Sequence, residues 1–251
     1  MSVLLQVHQL CKTYGAVEAL DNVSLEVNEA EVLGVCGDNG AGKSTLMRII
    51  AGAIEPTAGT LIFDGVECRF NGPRDALASG IAAIYQDLAL AVDQPIYQNI
   101  FLGSEILIPT FVPGMSRLDK TTMRQQSGEF LSRIGISLPN VDSPVSQLSG
   151  GQRQAVAICR ALRWHARLVI MDEPTAALGI REKSRVLDLI RRLRDNGISI
   201  VLVSHNMDDV VSVTDRIAVL RGGKHIGTLT TTDVDADRLS HIVMSGRVDA
   251  A

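Results

Sequence analysis

Between the apolar run EVLGVC and another that begins at Leu46, the chain places GDNGAGKST, Gly37 to Thr45. Glycines leave backbone N–H groups bare, and a lysine with two adjacent hydroxyls adds a cation and a metal ligand to a concave loop, so the expected guest is strongly anionic. Gly37 to Ser44 fits the pattern G-x-x-x-x-G-K-[ST], with an apolar strand before it and a helical pattern after it. In that context the backbone of Gly37, Asn39, Gly40, Ala41 and Gly42 and the helix N-terminus receive phosphates. Lys43 reaches the terminal ones, and Ser44, with Thr45 beside it, supplies a hydroxyl for Mg²⁺.

Two further stretches extend this chemistry. RLVIMDEPT is apolar on both faces up to Asp172, as a buried parallel strand is, so Asp172 falls at the carboxyl end of a strand beside the phosphate loop and can complete the Mg²⁺ shell. Glu173 is then placed to polarise a water against a γ-phosphate, which makes hydrolysis the leading reaction. In QLSGGQRQAVAICRAL, Ser149, Gly150 and Gly151 stand immediately ahead of an amphipathic helix, with Gln152 next. Bare N–H groups and a helix dipole imply a second anion cradle there, although serine and glycine at a helix entry also suit simple capping.

The elements that must hold these residues are legible in outline. Runs rich in Val, Ile and Leu recur at VLGVC, IAAIY, RLVIMD, ISIVLVS and RIAVLR, interleaved with helical patterns such as KSTLMRIIAG and REKSRVLDLIRRLRDNG. This alternation predicts an α/β fold with a mostly parallel sheet. LLQVHQLCKTY and ALDNVSLEVN alternate apolar and polar residues, as an N-terminal antiparallel β flank exposed on one face does. From about Asp87 to Arg163 helical patterns follow one another without a convincing strand, and IPTFVPGMSR reads as an unusually apolar loop. One domain is expected over 1–251, with residues 1–86 and 164–251 as the core and its flank and residues 87–163 as an inserted helical subdomain.

Composition excludes other classes. Net charge is −4 and the 24 basic residues are scattered, which disfavours a nucleic-acid partner. The four cysteines form no C-x-x-C pair, so neither a zinc site nor a disulfide framework is expected. No apolar run approaches the ~18 residues that span a bilayer, and the first residues lack the features of a signal peptide. A soluble cytosolic protein is expected.

Taken in order, GDNGAGKST, LSGGQ, LVIMDE and VSHN resemble the ATP-binding cassette subunits of membrane transporters, from Val3 to about Gly246. The resemblance implies a P-loop NTPase core that binds ATP and Mg²⁺. It implies that Tyr14 in KTYGAVEAL stacks on adenine, that Gln86 touches Mg²⁺ and the attacking water, and that His205 contacts the γ-phosphate. A glutamine or histidine at a strand end also commonly bonds a neighbouring loop. It implies a homodimer in which phosphate loop and LSGGQ of opposite chains enclose two nucleotides, working at the cytoplasmic face of the membrane. Partners would be transmembrane permease subunits and, through them, an external substrate-binding protein.

The chain departs from the family where S-A-L-D ordinarily follows the glutamate: Ala176, Ala177, Leu178 and Gly179 stand there instead, removing an acid that helps tie two cassettes together. That variant, with YQDLAL, NIFLG, SHNM and DRIAVLRGG, is similar to cassettes of bacterial importers of ribose, xylose and fructose. Cassettes for other solutes, including exporters, remain the alternative. A cassette acting on DNA or ribosomes would need a long coiled-coil insertion before Ser149 or a second cassette, and a small-molecule kinase would leave LSGGQ unexplained.

Overall fold

The computed structural model describes residues 2–112, 114–136, 138, 140–176 and 178–247. Ala177 and the outermost limits of the expected domain, positions 1 and 251, lie outside the described residues.

Strands β1 (Val3–Tyr14) and β2 (Val17–Asn28) form an antiparallel pair closed by Tyr14 opposite Val17. Their alternating burial is that of the expected half-exposed flank. The chain then enters β3 (Val32–Cys36), buried throughout, passes through the glycine loop and forms α1 (Lys43–Ile50). Strands β4 (Ala58–Phe63) and β5 (Val66–Cys68) make a hairpin that the sequence reading did not anticipate. Its turn has positive φ at Asp64 and Gly65, 53° and 76°, the handedness that Asp-Gly accepts in a two-residue hairpin. Because β4 pairs with β1, the flank is a four-stranded sheet in the order β2-β1-β4-β5.

Helix α2 (Pro73–Ala78) and strand β6 (Ile81–Ile84) precede the helical stretch, which comprises α3 (Ile96–Phe101), α4 (Lys120–Arg133) and α5 (Gly150–Leu162). These helices bury a cluster of their own around Tyr97, Phe101, Met123, Leu131 and Val156. The expectation of no strand here is corrected by a short hairpin, β7 (Leu107–Pro109) against β8 (Ser116–Leu118), within the segment read as a loop. Its prolines do not forbid it, because Pro109 sits at the last position of its strand. Thr110 closes the turn by donating its N–H to Met115 O at 3.1 Å and its hydroxyl to the same oxygen at 3.0 Å.

The rest of the chain supplies β9 (Leu168–Asp172), α6 (Ile180–Asp195), β10 (Ser199–Val203), α7 (Met207–Val213), β11 (Arg216–Arg221), β12 (Lys224–Thr230) and α8 (Ala236–Ser245). The six-stranded sheet runs β12-β11-β3-β10-β9-β6, parallel except for the β11–β12 hairpin. Consequently β10 separates the phosphate-loop strand from the strand that ends in Asp172. No helix among the described residues is long and apolar enough to cross a membrane.

The corner where β2 hands over to β3 is fixed by buried polar groups. Glu31, only 2% exposed, accepts the Asn28 N–H at 2.6 Å and the Arg216 guanidinium at 3.1 Å. The Ser199 hydroxyl accepts Ala30 N–H and donates to Asn28 O, each at 3.0 Å. These bonds hold the flank, and with it Tyr14, against the parallel sheet. Glu31→Ala should therefore cost about 2–4 kcal/mol in urea unfolding, because it leaves a buried N–H and a half-buried cation without their acceptor. A variant as stable as the parent would show that the corner does not depend on this carboxylate.

Candidate functional site

The glycine loop is shaped by what two of its glycines lack. A Cβ on Gly37 would lie 2.3 Å from Leu220 O, and one on Gly42 would lie 2.7 Å from Ala19 O. Both residues also have positive φ, 154° and 98°. The loop therefore rests directly on backbone from β11 and β2, an approach open only to glycine. The Gly222-Gly223 turn presses on it from outside, with Gly223 N–H donating to Ala41 O at 3.2 Å and Asp21 N–H to Gly223 O at 2.8 Å. Sequence reasoning did not single out that turn, although the paired glycines were a visible signal.

In α1 the helical ladder begins with Leu46 N–H to Gly42 O at 2.9 Å, so the N–H groups of Lys43, Ser44 and Thr45 stand before its first bond. The Lys43 ammonium folds back onto the loop, 2.6 Å from Gly37 O and 2.9 Å from Asp38 O. Those carbonyls hold the cation over the concavity. The bare backbone and this cation fit a polyphosphate, and the Ser44 hydroxyl, the Asp172 carboxylate and the Gln86 amide oxygen are the hard oxygen donors that suit Mg²⁺. Tyr14 lies half-exposed at the tip of the β1–β2 hairpin, with the Lys12 ammonium 5.1 Å from its ring centre. Its hairpin is the one that Gly42 touches at Ala19.

The neighbouring strand ends bring the predicted acid groups to the same edge. Val203 at the end of β10 pairs with Val35 on one side and Asp172 on the other. Immediately past those pairs, Glu173 Oε2 and His205 Nδ1 meet at 2.9 Å. Glu173 has φ of +51°, a left-handed conformation unusual for a side chain with a Cβ, and its N–H is held by Val203 O at 2.9 Å. Burial raises the pKa of Asp172, and the adjacent Glu173 raises it further, against the opposing pull of Lys43 and Arg48. Beneath the loop, burial pushes the Cys36 thiol up to about 12, which makes it inert packing.

Gln86 does not end its strand, as the sequence reading had it: β6 stops at Ile84, and Gln86 is exposed two residues further on. The loop that follows is braced from α5. Arg160 donates to Ala89 O at 2.8 Å and Leu88 O at 2.6 Å, an anchor that sequence reasoning missed because nothing in QLSGGQRQAVAICRAL says which loop its arginine reaches.

The second expected cradle is corrected in one detail. Gly150, Gly151 and Gln152 form the first turn of α5 and do not precede it, since Ser149 is the cap. Gln152 Oε1 accepts the Ser149 N–H at 3.0 Å, the reciprocal half of a capping box. The ladder starts with Arg153 N–H to Ser149 O at 2.9 Å, so the N–H groups of both glycines precede its first bond. A Cβ on Gly150 would meet Leu178 at 2.5 Å, and one on Gly151 would meet Glu182 at 3.3 Å, so this turn packs on the entry to α6. Gly179, the cap of α6, has φ of −69° and nothing within 4 Å of a Cβ, so no steric demand explains glycine there.

Known proteins match this chain in sequence and in fold. Residues 20–176 match the family described as "ABC transporter". The chain is 44% identical over 245 residues to the xylose/arabinose import ATP-binding protein XylG of Sulfolobus acidocaldarius, covering 98% of this chain and 95% of that protein. It is 43% identical over 232 residues to the fructose import ATP-binding protein FrcA of Rhizobium meliloti, covering 92% and 89%. Among solved structures, a dimeric ATP-binding cassette in a post-hydrolysis state bound to ADP and Pi superposes with a TM-score of 0.74 at 25% identity, covering 91% of this chain and 99% of that one.

The adjacent acids at the end of β9 yield a stability prediction. The folded pKa of Asp172 lies above its unfolded value, so ionising it disfavours the fold; that cost is fully present above the folded pKa and disappears below the unfolded one. Asp172→Asn should therefore melt higher than the nucleotide-free parent at neutral pH, with the advantage fading as the medium is acidified through the carboxylate range. Melting curves that keep the same separation at every pH would refute this origin.

Proposed function

The chain belongs to the ABC transporter family of ATP-binding cassettes, and from that premise we propose that it binds and hydrolyses ATP to power sugar import through partner membrane permeases. The observation that carries the reading is the convergence of the glycine loop, Asp172, Glu173 and His205 on one edge of the parallel sheet. The import relatives lend the substrate class.

In this reading the backbone of Gly37 and Asn39 to Gly42 and the N-terminus of α1 receive the phosphates. Lys43 leaves the loop carbonyls for the terminal phosphate oxygens, and Tyr14 offers its exposed face to the adenine. Glu173 accepts a hydrogen bond from the attacking water. His205, held by Glu173 through Nδ1, faces the γ-phosphate with its other nitrogen. Ser44, Asp172 and Gln86 would hold Mg²⁺, which when bound neutralises charge on the phosphates.

Gly150 and Gly151, with Ser149 and Gln152, form the second phosphate cradle and act on the nucleotide of a second copy of the chain, as an isologous dimer provides. Residues 87–163 form the helical subdomain, a division supported by their separate apolar cluster, and pass the motion of closure to the permeases. Residues 1–86 and 164–251 form the nucleotide-binding core. The protein then works peripherally at the cytoplasmic face of the membrane, supplied with solute by an external binding protein acting on the permease.

Glu173→Gln should lower kcat for ATP by about 100-fold or more while sparing nucleotide affinity, because it removes the group that orients water and leaves the glycine loop intact. Reconstituted with its permease, the same variant should stop ATP-dependent sugar uptake. Undiminished turnover would refute the assignment of Glu173, and uptake of a solute other than a sugar would refute the substrate class.

Action in trans has its own test. Ser149→Arg fills one cradle and Lys43→Ala weakens the other, and each alone should be inactive. Mixed in equal amounts, random pairing leaves one site intact in each heterodimer and restores about a quarter of the sites if they act independently. Normal hydrolysis by Ser149→Arg alone would return LSGGQ to the status of a helix cap.

A further inference from the structure

Asp209 belongs to none of the motifs above, yet it is the best-satisfied buried acid near the site. Its side chain is 4% exposed, and both of its oxygens are occupied. Oδ2 accepts the Thr175 hydroxyl at 2.8 Å, and Oδ1 meets the Lys183 ammonium at 2.6 Å. Its own N–H donates to Asn206 Oδ1 at 3.1 Å, and Asn206 N–H in turn donates to Ser204 Oγ at 3.1 Å.

These partners come from three segments that otherwise part company after the sheet edge. Thr175 lies two residues past Glu173, Lys183 is in the first turn of α6, and Asp209 is four residues past His205 on α7. One buried carboxylate therefore fastens the loop that begins with Glu173, the helix that loop leads into, and the helix that follows His205. A buried ion pair of this kind is weak evidence of stabilisation, because desolvation cancels much of the attraction. What it does supply is a fixed geometry.

Glu173 needs such fixing. Its left-handed φ is a conformation that persists only where the surroundings over-determine it. Three ties are visible: Glu173 N–H to Val203 O at 2.9 Å, Glu173 Oε2 to His205 Nδ1 at 2.9 Å, and Ala176 N–H to Glu173 O at 3.1 Å. The first two join residue 173 to the segment entering α7. The third closes a turn whose second residue beyond Glu173 is Thr175, and Thr175 is anchored on Asp209.

We propose that Thr175, Asp209 and Lys183 are positioning residues that hold Glu173 and His205 in mutual register for hydrolysis, with no contact of their own to the nucleotide. The inference rests on the reading of Glu173 and His205 given above. It predicts a division of kinetic effects: loosening the clasp misplaces the groups that act on the attacking water and leaves the glycine loop, which holds the nucleotide, untouched.

The test uses the full chain; Thr175→Val leaves the Lys183–Asp209 ion pair in place, whereas Lys183→Met leaves the buried carboxylate without its cation and is read only in protein that circular dichroism shows to be folded. Thr175→Val and Lys183→Met should each lower kcat for ATP about tenfold or more, with KM and equilibrium affinity for a fluorescent ATP analogue within about twofold of the parent. Thr175→Ser and Lys183→Arg, which restore the hydroxyl and the cation, should recover most of the loss. The double variant Thr175→Val with Lys183→Met should be little worse than the poorer single one, as for groups acting as a unit. Full turnover in a folded Thr175→Val, a rise in KM matching the fall in kcat, or failure of both conservative variants to recover activity would overturn the proposal. Glu173→Gln in the same assay separates the two ideas: if it silences the chain and Thr175→Val does not, only this inference fails. If Glu173→Gln is fully active, or the parent does not hydrolyse ATP, the reading of the site fails and the inference with it.

Discussion

Everything at the site depends on one constraint, the contiguity of four parallel strands in the order β3-β10-β9-β6. Parallel neighbours end on the same side, so the loops that leave them share one edge whatever their distance in sequence. The glycine loop, the segment ending in His205, the Asp172-Glu173 pair and the loop bearing Gln86 are thereby delivered to one place from positions more than a hundred residues apart. The pairing of Val203 with both Val35 and Asp172 sets the depth at which these groups meet. A slip of one residue in β10 would reverse its faces and carry His205 away from Glu173.

That convergence is costly to the fold taken alone. Two acids stand side by side at the end of a buried strand, one with its pKa raised by burial and by the other, and the second sits in a left-handed conformation. Nearby, an ammonium is bound to two loop carbonyls, with no carboxylate among its hydrogen-bond partners in the described residues. Each feature is unfavourable or neutral for folding and useful for handling a polyphosphate, the trade expected where activity and stability draw on the same residues. The stability comes from elsewhere, from strands buried throughout and from the Glu31 and Ser199 corner that binds the two sheets.

What was legible in the sequence was local. The glycine loop could be read because its chemistry is written in consecutive residues, and Asp172 and Glu173 because a short run apolar on both faces reads as a buried strand. Strand order was not written that way, so the intrusion of β10 between β3 and β9 was not foreseen. The β4–β5 hairpin was missed although its Asp-Gly turn was a fair signal, and β7–β8 was taken for a loop because prolines were weighed without asking which positions of a strand tolerate them. Gly150 and Gly151 were read as standing ahead of α5, for their bare N–H groups, yet Ser149 caps the helix before them and they open its first turn. Arg160, Asp209, Thr175 and Lys183 were beyond reach for a plainer reason: each acts through a partner many residues away, and nothing local distinguishes a bracing arginine or a clasping aspartate from a solvated one.

The two helix entries explain why one chain can be proposed to hold two cradles. In α1 and in α5 alike, N–H groups of the first turn stand before the first rung of the helical ladder, with Gly42 at the entry of the one and Gly150 and Gly151 opening the other. The difference lies in what stands behind. At α1 the loop leans on the backbone of the nucleotide-binding core, and Lys43 adds a cation. At α5 the turn leans on Leu178 and Glu182, residues of the segment that runs from Glu173 into α6. The entry to α5 is thus in contact, within one chain, with the stretch that Thr175 and Lys183 fasten to Asp209. In the dimer proposed above, a phosphate held at α5 would therefore lie against the segment that begins at Glu173, the geometry two copies need if each is to sense the nucleotide held by the other.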